Sequence, residues 1–249
     1  MRDADEEKGR QLLTAVERIL ASTDSLRAVA EECRAKVKAS ASGGPDALRD
    51  AAAAEVVRHY SLRAAIAGGV AAAPALVPGV GSLGVMLGGA LAELGYLLKC
   101  EVEMVLTLSH LYGFDIDETQ ERQIAFLMAS VGTHDARSGQ NFLVDAAQAE
   151  GVAIWNYGPR KAGKMVLSAM TKLALMWVWR GFARLIPVVG IVIGTSVNKV
   201  LTTKVGERAA KDLRTRRALK SSEARAEKAT ARTKKRVVSA RPRRAARGE

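Results

Sequence analysis

The sequence predicts an all-α fold, a helical bundle with two apolar helical hairpins, and three observations carry that expectation. Aromatic residues make up 4% of the chain and hydrophobic residues 48%, so a core has to be built from Ala, Leu, Val and Gly. Sandwiches and barrels draw on aromatic and β-branched runs that are scarce here. Apolar residues alternate spacings of four and three from Leu12 to Val37. A tip motif, L-[VI]-P-x-V-G, occurs twice, at Leu76–Gly81 and at Leu185–Gly190, each time between apolar segments.

Charge is divided unevenly along the 249 residues. The chain holds 38 Lys+Arg and 26 Asp+Glu, a formal net charge of +12. Residues 204–249 contain 17 of the basic and 5 of the acidic residues, which leaves 21 of each sign in 1–203. The body is therefore neutral and the basic character belongs to a tail. A body of this length buries a sizeable core. Two cysteines, Cys33 and Cys100, exclude a disulfide scaffold, and the charged start MRDADEEKGR does not fit a secretory signal peptide. A reducing, cytoplasmic context is expected.

The first element is a helix of about 30 residues, on the heptad-like seam Leu12, Val16, Ile19, Thr23, Leu26, Ala30, Cys33 and Val37. Its small members make it an arm packed on the body rather than an independent coiled coil. Ser40–Asp46 (SASGGPD) reads as a linker, with Pro45 suited to the first turn of the next helix. Ala47–Arg63 is an Ala-rich amphipathic helix. The expected organisation is an arm at 1–39, a linker at 40–46, a helical domain at 47–217 and a disordered polybasic tail at 218–249.

Ala64–Ala92 runs 29 residues without a charge, but Pro74, Pro78 and Gly79 interrupt it. Each arm of roughly 14 residues would span about 21 Å, short of a hydrocarbon core of about 30 Å. A hairpin with its tip at Pro78-Gly79 fits better than a straight span. The second arm continues as a long helix through Glu93–Tyr112, closed by Gly113 in the left-handed conformation with Phe114 folding back. Asp117 and Gln120 form a capping-box pattern for a helix to about Val131. A further helix is expected at Ser138–Glu150, a strand-like stretch at Gly151–Tyr157, and a basic, apolar helix at Arg160–Ala183 with Trp177 and Trp179. The second hairpin has its tip at Pro187-Val188. Small residues four apart follow both tips, Gly84/Gly88/Ala92 and Gly190/Gly194, and let helix backbones approach closely.

Motifs for catalysis are weak. Gly79-x-Gly81-x-x-Gly84 matches a dinucleotide fingerprint in letters, with Glu101 and Glu103 as formal ribose acids, but no strand–turn–helix frame surrounds it. Gly158-x-x-x-x-Gly163-Lys164 approaches a phosphate-binding loop, yet Met165 replaces the Mg²⁺-binding hydroxyl. His59, His110 and His134 share no metal-ligand spacing. Asp115, Asp117 and Glu118 lack the ligand series of a calcium loop. The expectation is no catalytic residue, no metal and no cofactor.

Several of these motifs also carry a family resemblance. L-V-P-G-V-G-S-L-G in the first hairpin, L-Y-G-F-D-I-D with Arg122 after it, and I-P-V-V-G-I-V-I-G-T-S-V-N followed by K-V-G-E-R-A resemble the EcsC family over about residues 60–215. That resemblance implies a helical, membrane-associated bacterial protein without an established enzymatic activity, in a family named for a protein encoded beside an ABC transporter. Its recurring positions fall here on Pro78, Gly81, Tyr112, Gly113, Asp115, Arg122, Pro187, Gly190, Asn198 and Gly206, and imply a shared scaffold.

Two surfaces are therefore expected to carry function. One is the pair of tips, Leu76, Val77, Pro78, Gly79, Val80, Gly81 and Leu83, with Leu185, Ile186, Pro187, Val188, Val189 and Gly190. Basic residues flank both hairpins on one side, but Arg180 and Arg184 lie near the second tip, where burial in hydrocarbon is costly. The first hairpin is thus the better candidate for insertion. Close helix packing serves a soluble core equally well, and the sequence leaves both readings open. The other surface is the tail, with Lys234, Lys235, Arg236, Arg241, Arg243, Arg244 and Arg247. It suits anionic lipid headgroups or nucleic-acid phosphates, though it lacks aromatics for base stacking. The leading expectation is a non-enzymatic peripheral protein on the cytoplasmic side of the inner membrane, with an anionic membrane surface and a membrane protein as partners. Nucleic-acid binding through the tail and a degenerate nucleotide-binding loop are the alternatives.

Overall fold

The computed structural model describes residues 2–39, 43–70, 87, 89–138, 158–183 and 190–239. Both hairpin tips, the expected helix at 139–150 and the strand-like 151–157 lie outside these residues. Seven helices and no strand make up the described part: α1 (Arg2–Ile19), α2 (Thr23–Lys38), α3 (Pro45–Val70), α4 (Gly89–Leu111), α5 (Thr119–Ser138), α6 (Pro159–Ala183) and α7 (Gly190–Ser239). The chain divides into two compact units, Met1–Leu213 and Arg214–Glu249.

Helix α4 is the centre of the first unit. It packs against α1, α2, α3, α5 and α6, and every residue from Leu91 to Ser109 is buried. A helix with no solvent face has to be apolar on all sides or has to pair its polar groups internally. Most of α4 takes the first course, through Leu94, Leu97, Leu98, Val102, Met104, Val105, Leu106 and Leu108. Glu93, Lys99, Glu101, Glu103 and Thr107 are buried as well, and they supply the polar chemistry of the bundle.

The end of α4 follows its sequence closely. Gly113 has φ 84°, Phe114 N–H donates to Ser109 O at 3.0 Å and Gly113 N–H to His110 O at 2.9 Å. This is the paired 6→1 and 5→2 pattern of a Schellman cap, with Phe114 buried against the core. Pro45 opens α3, as its missing N–H allows.

Three local expectations are corrected. The N-terminal arm is two helices, because Ser22 takes an extended conformation (φ −62°, ψ 153°) and its hydroxyl caps α2 by accepting from Ser25 N–H. The seam residues Leu12, Val16, Leu26, Ala30 and Cys33 are nonetheless buried, and α1 and α2 pack against α3, α4 and α6. Helix α5 starts at Thr119, not at an Asp117 cap. The Asp117 carboxylate instead accepts from Arg27 of α2, which holds it below the usual carboxylate range. The tail is the third case as far as Ser239, and residues 240–249 lie outside the described residues. Helix α7 runs to Ser239, because Ala, Arg, Lys and Glu are strong helix formers even where no core is available.

Candidate functional site

The candidate site is the set of polar side chains buried where α4 meets its neighbours. Glu103 occupies one side. Its Oε1 accepts from Lys99 Nζ at 2.5 Å and from Ala21 N–H at 2.8 Å, so a carboxylate from the central helix binds the joint between α1 and α2. Glu103 Oε2 is buried without a hydrogen-bond partner among the described residues. Nearby, the hydroxyls of Tyr60 and Thr107 are 3.1 Å apart, and Arg63 lies over the Tyr60 ring at 5.7 Å.

Glu101, two residues earlier on α4, points to a different group of partners. Thr202 of α7 donates to its Oε1 at 2.9 Å, and Thr133 of α5 is in hydrogen-bond contact with its Oε2. The residue is fully buried, and desolvation pushes its carboxyl above the usual range, against the opposing pull of Arg137. One turn beyond Thr133, Arg137 donates to Asn198 Oδ1 at 2.8 Å and lies 4.5 Å from the centre of the Trp177 ring. Arg208 donates to Asp135 Oδ2 at 2.8 Å. Helix α7 is thus fastened to α4 and α5 by polar contacts as well as by close packing. Gly206 faces Met104 and Val57 so tightly that a methyl group there would lie 2.8 Å from both side chains.

The phosphate-loop reading is overturned by the backbone. Pro159 to Lys164 are already in α6, and Lys161 and Ala162 N–H donate to Gly158 O at 3.0 Å. Amides committed to a helix do not form the open cradle that phosphate binding requires. Glu101 and Glu103, the formal ribose acids of the Gly79–Gly84 pattern, are buried inside the bundle, while the glycines lie outside the described residues. No group of three metal-ligating side chains forms among the described residues. Cys33 and Cys100 are buried free thiols, pushed up by burial to about 11 and about 12 respectively.

Of the expected membrane-facing residues, only Gly190 is described, as the first residue of α7. Leu76 to Leu83 and Leu185 to Val189 lie outside the described residues. Lys234, Lys235 and Arg236 fall in the last turns of α7, and Arg241, Arg243, Arg244 and Arg247 lie outside. No helix among the described residues is long and apolar enough to cross a membrane.

A model of the EcsC protein family matches residues 10–218. The chain belongs to the EcsC protein family. No curated protein and no solved structure is significantly similar to it. The EcsC match takes in α2 and half of α1, so it begins well before the stretch that carries the motif resemblance. Within this EcsC-family chain, five of the described positions of that resemblance have structural work. Tyr112 hydroxyl donates to Asp50 Oδ1 at 3.2 Å and Gly113 makes the helix cap. Asp115 Oδ1 accepts from Asp117 N–H at 3.1 Å, Asn198 accepts from Arg137, and Gly206 admits α7 against α3 and α4. Glu101, Thr133, Thr202 and Arg137 were not singled out as a group by the sequence. The available signal was four charges within a helix otherwise apolar on every face.

Proposed function

We propose that this EcsC-family protein is a non-enzymatic, peripheral membrane protein of the cytoplasmic face, in which the basic helix binds anionic headgroups and the apolar tip of the first hairpin, around Pro78 and Gly79, dips into the leaflet. The observation that carries this reading is the helical form of the tail. At about 100° per residue, seven of the ten Lys and Arg between 214 and 236 (positions 214, 217, 225, 228, 232, 235 and 236) fall within one arc of about 100°, while Arg216, Lys220 and Lys234 fall outside it with Glu223 and Glu227. A basic stripe on one side of a helix suits a flat anionic surface, where each Lys or Arg contributes about 1 kcal/mol. Residues 218–223 are exposed, so this stretch is not used up in a core. An adaptor or membrane-remodelling role beside a transporter is the form of activity that the family resemblance favours.

Flotation on liposomes containing anionic lipid tests the proposal. The full chain is expected to float at low salt and to be released as salt rises. A full-length variant with Arg225, Lys228, Arg232, Lys235 and Arg236 changed to Gln is expected to stay at the bottom of the gradient. Failure of the unmodified chain to float would sink the reading. Nucleic-acid binding is the second reading, favoured by the same charge. It predicts tight DNA or RNA binding with a steep salt slope and no preference for anionic vesicles.

A further inference from the structure

A threonine hydroxyl carries one hydrogen, and a backbone carbonyl or an ionised carboxylate only accepts. Thr133 Oγ1 sits 2.7 Å from Ala129 O and also contacts Glu101 Oε2. With Glu101 ionised, two acceptors would compete for a single hydrogen at a fully buried position, and one oxygen–oxygen contact would have no proton in it. A proton on Oε2 removes the conflict. Glu101 then donates to Thr133, Thr133 donates to Ala129 O, and Thr202 donates to Glu101 Oε1 at 2.9 Å. Every hydroxyl hydrogen has one acceptor in this arrangement.

We propose that Glu101 is a proton-binding site, a neutral carboxylic acid at neutral pH whose proton joins α4 to α5 while the same carboxyl receives α7. Among the described residues, the groups facing it are Thr133 and Arg137 from α5 and Thr202 from α7. Arg137 is the charged one, and it is taken up by Asn198 and the face of Trp177. Desolvation, the largest influence on the carboxyl, acts in the same direction as the hydrogen count. Losing the proton places a charge inside the junction that holds the first half of α7, so this junction weakens as pH rises.

The sign of the pH dependence follows from linkage. A carboxyl whose folded value is raised stabilises the fold fully below the ordinary Glu range, and that contribution is lost as pH rises towards the folded value. Thermal unfolding of the full chain and of Glu101→Gln between pH 5 and 9 tests this. Gln matches the neutral acid in shape, with an N–H for Thr133 and a carbonyl for Thr202. The unmodified protein is expected to lose about 3–5 °C relative to E101Q for each pH unit above the ordinary Glu value until Glu101 ionises. A difference that is flat with pH, or that favours the unmodified protein more as pH rises, overturns the proposal. Infrared spectroscopy decides the matter even if E101Q does not fold. An Asp212→Asn background removes the other carboxyl among the described residues that burial pushes up. A protonated-carboxyl C=O band at neutral pH is then expected from Glu101, and absence of that band overturns the assignment.

Discussion

Gly9 marks a close approach of α1 to α6. A β-carbon built there would lie 2.9 Å from the backbone of Thr171, and backbone does not move aside as a side chain tip does. Gly9→Val is therefore expected to destabilise the protein by about 1–3 kcal/mol through overpacking, read as a lowered urea midpoint with an unchanged slope. Gly163, also on α6, has open space around the same construction, and Gly163→Ala is expected to be neutral or stabilising. Nothing in the local sequence separates these two glycines, since both lie inside helical patterns. Gly113 was legible by contrast, because a Tyr-Gly-Phe stop after a long apolar helix names its own backbone conformation. The difference is between a glycine required by its own φ and a glycine required by a neighbour distant in sequence.

At the scale of elements, α4 shows why a helix can be found from sequence while its role cannot. Its apolar pattern marked Glu93–Tyr112 as helical. Its position at the centre depends on what the other helices bury. Lys99 and Glu103 would form an ordinary surface pair on an outer helix, worth at most about 1 kcal/mol. Here their side chains are 11% and 1% exposed, and Glu103 also binds the α1–α2 joint. Lys99→Met should then cost about 3–5 kcal/mol, because a buried carboxylate loses its cation. The double variant Lys99→Met with Glu103→Met should recover much of that loss, and a double-mutant cycle by chemical denaturation measures it. Strict additivity of the two changes would mean that the pair is not coupled. The N-terminal arm carries the same lesson. Its heptad seam was real in burial, but Ser22 could not be seen as a cap until Glu103 was seen to hold the preceding amide.

At the scale of the whole molecule, the two compact units suggest a division that can be tested directly. A chain ending at Leu213 is expected to unfold cooperatively within a few degrees of the full chain, while losing flotation on anionic vesicles. Loss of cooperative unfolding would show that residues after 213 support the fold. The sequence by itself determined the all-α class, the neutral body with its basic end, the positions of most helices and the family. Those depend on composition and on patterns within a few turns, where propensity and period act locally. Only the tertiary structure decided that α4 is enclosed, that residues 158–164 lead into and form a helix rather than a phosphate loop, and that Glu101 meets Thr133 and Thr202. Those depend on contacts between residues 32 and 101 positions apart, and burial at such distances converts an ordinary glutamate into a carboxyl that holds its proton.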